Sequence, residues 1–116
     1  MLHDIITAEQ RELMLLNGMR SASGEDIDPS PVVKLFLAGS AMTWLLTELD
    51  PDDPDIAFGL CDLGMGVPEL GSVRLSEITS VRNRFGLTAE RDLYFVADKP
   101  LSAYTDATAK ADMIVT

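Results

Sequence analysis

Three strand-like segments follow one another closely, and the short connections between them are what most constrain the fold. Residues 32–37 and 43–49 are rich in β-branched, aromatic and leucine side chains, and residues 56–63 alternate large with small apolar side chains. A parallel crossover needs about a dozen residues or more. The connections 38–42 and 50–55 are shorter than that. The sequence therefore predicts that these three strands form an antiparallel β-meander.

Two features inside this region refine the prediction. Pro51 and Pro54 lack the N–H donor that a central strand uses, so 50–55 is predicted to be a loop. Trp44 is the only tryptophan of the chain and is predicted to anchor the core of the sheet.

A helix is predicted before the meander. Thr7 and Gln10 have the spacing of a capping box, which predicts a helix over residues 8–20. Leu13 and Leu16 provide apolar positions at helical spacing, and Met14 is a third candidate.

Further elements are predicted after the meander. A short strand over 72–75 is followed by a helix over 77–85 with Ser76 as its N-cap. A last strand is predicted over 92–96, and the tail from Pro100 is weakly helical. The expected fold is an α+β domain, in which an antiparallel β-meander of about four to five strands has two to three helices packed on one face.

The composition fits one domain over residues 1–116 and excludes several classes of protein. Apolar residues make up 47% of the chain and charged residues 24%, as in soluble globular domains. One cysteine excludes a disulfide framework and a Cys-based zinc site. The first ten residues lack the features of a signal peptide and no apolar run is long enough to span a membrane, so we expect a cytoplasmic protein.

The formal net charge of −10 has the wrong sign for direct binding to nucleic acid or to an anionic membrane. This charge is unevenly distributed. Residues 35–73 contain seven acidic residues and no basic residue, whereas residues 74–116 contain six of each. If basic residues do not mix with these acids in the fold, one rim of the domain is strongly negative. The expected partners of such a surface are basic protein surfaces or cations, although acidity also simply keeps a small protein soluble.

The acidic loop of the meander is the first candidate site. Asp50, Asp52, Asp53 and Asp55 form either a solvated hairpin loop with Asx-turns, a protein-contact surface or a cation site. An EF-hand beginning at Asp50 fails, because the position that requires glycine is Asp55. The solvated loop is the favoured interpretation.

The glycine-rich loop over 64–71 is the second candidate. Its Gly-x-Gly start resembles a dinucleotide fingerprint, but the third glycine position is Glu69, and no lysine is present to face a phosphate. The favoured interpretation is a tight turn with positive φ at glycine. The alternative is a recognition loop that presents Met65, Val67 and Glu69.

Catalytic pairs are disfavoured. Cys61 with His3 requires a nucleophile and a base within hydrogen-bond reach, and His3 lies at the end of the chain. Asp62 with Glu69 or Glu48 has no accompanying aromatic groove for a sugar. No catalytic residue, metal site or cofactor is therefore predicted.

A distinctive motif occupies the central stretch: TWLLTELDPDDPD at 43–55, FGLCDLG at 58–64 and PELG at 68–71, with LSEI at 75–78 and KPLSAY at 99–104. The pattern resembles a bacterial domain-of-unknown-function family of small single-domain proteins, often encoded near plasmid and phage genes. The resemblance covers nearly the whole chain after about Thr7. It implies a stand-alone module in a mobile-element setting and assigns no catalytic activity.

The functional hypothesis is a protein-binding or regulatory module that uses electrostatic steering and a few apolar anchors. One version inhibits a host nucleic-acid-handling protein, because an acidic surface can occupy a basic groove. The alternatives are a carboxylate-based metal-dependent enzyme or metal-binding module, and a homodimer formed through an exposed sheet edge. The predicted binding residues are Asp50, Asp52, Asp53, Asp55, Asp62, Met65, Val67 and Glu69.

Overall fold

The computed structural model describes residues 5–116 and confirms the α+β class. Its elements, in chain order, are α1 (Ala8–Ala22), β1 (Val33–Leu37), β2 (Thr43–Asp50), β3 (Asp53–Asp62), β4 (Glu69–Arg74), α2 (Leu75–Ser80), β5 (Ala89–Arg91) and α3 (Leu101–Ala111). The five strands form one antiparallel sheet in the order β4-β3-β2-β1-β5. The predicted meander is therefore confirmed as β1-β2-β3.

Both faces of the sheet are covered by helices. Successive residues of a strand point to opposite faces, so neighbouring residues of β2 belong to different buried clusters. Trp44 and Leu46 belong to one buried cluster together with Met14 of α1 and Ile78 of α2. The intervening Leu45 belongs to a second cluster with residues of β3 and α3, namely Leu60, Leu101 and Tyr104. Thus α1 and α2 share one face, α3 lies on the other, and Trp44 is buried in the core as predicted.

A bulge in β2 changes the alternation. Leu46 pairs with Gly59 and Glu48 pairs with Phe58, so Thr47 is the extra residue. Its carbonyl accepts a hydrogen bond from the Asn17 amide of α1 at 2.9 Å, and its hydroxyl donates to the Phe58 carbonyl at 3.2 Å. The bulge allows Leu46 and Leu49, three positions apart, to join the same buried cluster.

The helix α1 lies unusually close to β2. A Cβ atom at Gly18 would stand 1.7 Å from the Leu49 carbonyl oxygen, so only glycine fits there. The capping box is present, with Thr7 Oγ1 accepting from the Gln10 N–H and Gln10 Oε1 accepting from the Thr7 N–H. The buried residues of α1 are Met14, Asn17 and Gly18, so of the three predicted apolar positions Met14 faces the core, whereas Leu13 and Leu16 do not.

The prediction of a loop over 50–55 was wrong in part, because Asp53–Asp55 belong to β3. On β2, Asp50 pairs with Asp53 of β3, and the preceding residue, Leu49, pairs with Ala57. Residues 54–56 therefore have no partner on β2, and Pro54 is tolerated because no N–H is needed there. The reversal itself is confined to Pro51 and Asp52.

The second helix was predicted too late and too long. It begins at Leu75 and ends at Ser80, and Ser76 lies inside it rather than at its N-cap. Residues 82–88 instead form a small loop, in which Asn83 Oδ1 accepts from the N–H groups of Phe85 and Leu87 at 2.8 and 3.0 Å. These bonds satisfy backbone donors that a helix would otherwise use.

The last strand was also misplaced. The strand β5 is Ala89–Arg91, and Leu93 and Tyr94 form a turn. The Asp92 carboxylate accepts from the Tyr94 N–H at 2.9 Å, an Asx-turn that ends the strand. The helical tail was predicted correctly, as α3.

Candidate protein-binding surfaces

The predicted binding residues separate into two groups at opposite ends of β3. Asp53 begins this strand and Asp62 ends it. Nine residue steps of extended chain span about 30 Å. The Asp50–Asp55 hairpin and the glycine loop over 64–68 therefore do not converge, and each must be considered as a separate surface.

Two of the four hairpin carboxylates are held by the chain itself. Asp53 lies 3.0 Å from the Arg74 guanidinium, and Asp55 lies 3.6 Å from it. Asp55 also accepts from the Ser76 N–H at 3.0 Å and from the Ser76 hydroxyl at 2.7 Å. The Ser76 hydroxyl bond is the main cause that lowers the pKa of Asp55, and the Ser76 N–H bond and the Arg74 guanidinium add to it, against a smaller opposing effect of burial. These two carboxylates stabilise the start of α2.

The other two hairpin carboxylates remain exposed. Asp50 Oδ1 accepts from the Asp52 N–H at 2.9 Å, which is the predicted Asx-turn. Neither Asp50 nor Asp52 forms an ion pair with any residue between 5 and 116. They carry uncompensated negative charge at the tip of the hairpin.

Beside this tip lies a cleft of about 320 Å³ between α1 and the sheet. Its α1 side is Gly18, Ser21 and Ala22. Its sheet side combines two carboxylates with apolar surface and is lined by Glu48, Asp50, Pro51, Ile56, Ala57, Phe58 and Ser72. We call this feature the acidic cleft. It joins two parts of the chain that are far apart in sequence.

Glu48 is the acidic residue of this cleft that the sequence did not assign to a binding surface. Burial raises the pKa of its carboxyl, and a hydrogen bond with the Ser21 side chain opposes that effect in part. Glu48 also has no ion pair within the described part of the chain. Its ionised form is therefore incompletely solvated and incompletely paired, a condition that an incoming cation relieves.

The glycine loop is shorter than predicted, because Glu69, Leu70 and Gly71 belong to β4, but its first two glycines have the predicted backbone. Gly64 and Gly66 have φ of 80° and 76°, in the left-handed region. Between and after them, Met65 and Val67 are exposed by 74% and 64%. The loop thus presents two apolar side chains to solvent.

The acidic residues beside this loop behave differently from each other. Asp62 is only 3% exposed, and its carboxylate accepts from the Gly64 N–H at 2.8 Å and the Ile114 N–H at 3.3 Å. Glu69 is exposed at the start of β4. Asp62 therefore joins the loop to the C-terminal segment and does not present its charge at the surface.

The pairs considered for catalysis gain no supporting geometry. Burial raises the pKa of the Cys61 thiol to about 11, and His3 lies outside the described residues. Over residues 5–116, no group of three or more histidine, cysteine or acidic side chains is arranged to hold a metal ion. No helix in the same range is long and apolar enough to cross a membrane.

The chain is a small α+β domain with an acidic cleft beside one hairpin. A family model matches residues 5–115, and the chain belongs to that family, which is described as a protein of unknown function (DUF2958). This match confirms the resemblance at the level of a domain-of-unknown-function family. No curated protein and no solved structure matches the chain.

Proposed function

We propose that this chain is a protein-binding module whose acidic cleft receives a basic segment of a partner protein. The observation that carries the proposal is the set of uncompensated carboxylates around one cleft. Glu48 and Asp50 line it, Asp52 stands at the adjoining tip, and none of them forms an ion pair within residues 5–116. Complementary charge gives such an interface both orientation and a fast encounter.

The chemistry of the cleft favours lysine or arginine as the inserted side chain. Each has an apolar stem and a charged head, and the stem can pack against Ala22 and Pro51 while the head meets Glu48 and Asp50. A cation beside Glu48 replaces the solvation that this carboxylate has lost by burial. Arginine has the additional advantage of a planar fork that binds carboxylates in two places.

We further propose that this binding regulates a partner that handles nucleic acid. A basic groove that binds phosphates is one surface that an acidic domain can occupy, so a bacterial module in a mobile-element setting would compete there with nucleic acid. We place this interaction in the cytoplasm, where the thiol of the lone Cys61 stays reduced. This proposal predicts that the partner's nucleic acid and this chain exclude each other.

The experiment is a binding titration of the intact chain with a fluorescent Arg-rich peptide and with a Glu-substituted counterpart. The double variant Glu48→Gln/Asp50→Asn should weaken binding by about tenfold or more, which corresponds to about 1.4 kcal/mol. The matched control Asp106→Asn/Asp112→Asn removes the same formal charge from and just after α3. If both double variants weaken binding equally, the effect is net charge alone and the proposed cleft is wrong.

A further inference from the structure

The outer side of α1 carries a row of apolar side chains that the fold does not cover. Leu13, Leu16 and Met19 are exposed by 47%, 49% and 52%. The same helix faces the sheet through Met14, Asn17 and Gly18, on its opposite side. Residues three apart are neighbours on a helix surface, so the three side chains form one continuous ridge.

The charges that flank this ridge are arranged with opposite signs at its two ends. Glu9 and Glu12 lie in the N-terminal half of α1, and Arg20, whose guanidinium also pairs with the half-exposed Glu25 carboxylate of its own chain, lies in its last turn. A parallel partner helix would place Glu12 beside Glu12 and Arg20 beside Arg20. An antiparallel partner helix reverses this and places carboxylates beside a guanidinium.

We infer that the outer face of α1 binds the same face of a second copy of this chain, as an antiparallel helix pair centred on Leu16. In this register Leu16 meets Leu16 of the second copy and Leu13 is level with Met19. Glu12 is then level with Arg20 of the second copy, and the pair is repeated by symmetry. The arrangement is self-complementary, as a twofold interface requires.

The size of the surface sets the strength of the association. The 15 residues of α1 extend about 22 Å, with a helix diameter of about 10 Å. This face is smaller than the roughly 800 Å² per partner of a standard interface. The dimer is therefore weak and in exchange with monomer, and the net charge of −10 on each copy weakens it most at low salt.

The interface is separate from the acidic cleft. The cleft uses Gly18, Ser21 and Ala22 of α1, whereas the ridge consists of Leu13, Leu16 and Met19. Dimerisation therefore leaves the proposed partner site open. If the chain does not dimerise, the proposed binding of a basic segment is unaffected. If the basic segment does not bind, the proposed dimer is likewise unaffected.

The test is sedimentation equilibrium of the intact chain at physiological salt, up to about 1 mM, the range of weak self-association. The wild-type chain should show a concentration-dependent dimer. Leu16→Glu should weaken the dimer by about tenfold or more, because it places two carboxylates against each other on the twofold axis. Leu16 is half exposed, so circular dichroism should show an unchanged fold.

Two further comparisons decide whether this face and this orientation are right. Leu87→Glu makes the same change at a leucine outside α1 that is 47% exposed, and it should leave the dimer intact. Glu12→Arg and Arg20→Glu should each weaken association, and the double variant should recover it as a double-mutant cycle. A monomer at every concentration would overturn the inference. So would a dimer that survives Leu16→Glu, or a double variant weaker than both single ones.

Discussion

Asp55 accepts two hydrogen bonds from Ser76, one from its backbone N–H at 3.0 Å and one from its hydroxyl at 2.7 Å. Asp28 holds Ser102 through the same pair of groups, with the N–H bond at 3.1 Å. Both serines are the second residue of their helix, after Leu75 and Leu101. Each helix start therefore receives its carboxylate cap from a distant part of the chain.

Removing one such cap should destabilise the domain. Asp55→Ala leaves the first turn of α2 without its acceptor and Arg74 without one ion partner. We expect a loss of about 1–2 kcal/mol in the free energy of unfolding, measured by urea denaturation. Asp52→Ala, which removes an exposed carboxylate from the same hairpin, is the control and should change stability by less than about 0.5 kcal/mol. Equal effects would show that Asp55 has no special capping role.

The lowered pKa of Asp55 gives this cap a pH dependence. Because the folded state lowers the pKa, the stabilisation is present above the unfolded pKa and is lost as pH falls through the folded pKa. The difference in stability between wild type and Asp55→Asn should therefore shrink as the solution is acidified. A difference that stays constant down to the unfolding pH would contradict this.

Glu48 should behave in the opposite way. Burial raises the pKa of its carboxyl, so the folded state favours the protonated form and stability falls as pH rises through the folded pKa. Glu48→Gln should therefore be as stable as wild type or more stable at neutral pH, and should lose that part of the pH dependence. Thermal unfolding across the acidic to neutral range measures both. A marked loss of stability in Glu48→Gln at neutral pH would mean that the ionised carboxylate is well satisfied without a partner.

The close approach of α1 to β2 should not tolerate a methyl group. Gly18→Ala places a Cβ against the Leu49 carbonyl oxygen, which is backbone and cannot rotate away. We expect a loss of about 3 kcal/mol or more by denaturant unfolding. At Gly71 a Cβ meets nothing within 4 Å, so Gly71→Ala should be neutral or stabilise by up to about 1 kcal/mol. Similar results for both variants would contradict the packing described here.

A divalent cation should not stabilise the domain appreciably. The carboxylates of Asp53 and Asp55 already accept from Arg74 and Ser76, and Asp62 accepts from two backbone N–H groups. We expect no shift in melting temperature with Ca²⁺, Mg²⁺ or Mn²⁺ at millimolar concentration, because a ligand of the native state stabilises it by mass action. A shift that Asp50→Asn abolishes would instead support the metal-binding alternative.

Local chemistry explains which parts of the fold the sequence could predict. Thr7 and Gln10 are three residues apart, so the capping box that starts α1 can be recognised from a short stretch of sequence. The short connections between β1, β2 and β3 likewise determine the meander. The start of α2 depends on Asp55, which is 21 positions away from Ser76. The end of α2 depends on the loop around Asn83, whose side chain accepts from the Phe85 N–H. No sequence pattern of a helix or a strand indicates such a bond.

The acidic character of the site was predictable, and its position was not. The run of acids without a base is visible in the sequence, but it extends over both ends of β3. The contact of Glu48 with Ser21 joins β2 to the end of α1 and depends on the fold as a whole. Arg74 follows directly after the acidic stretch and folds back on Asp53, so part of the apparent charge is neutralised.

A basic segment that binds in the acidic cleft can be located on the surface by NMR. Backbone amide shifts of the ¹⁵N-labelled chain should be followed by NMR as an Arg-rich peptide is added. The largest changes should occur at Ser21, Glu48 and Phe58, with small ones at Met65. Changes centred on the glycine loop, changes spread evenly over all acidic residues, or none at about 1 mM peptide would contradict binding in this cleft.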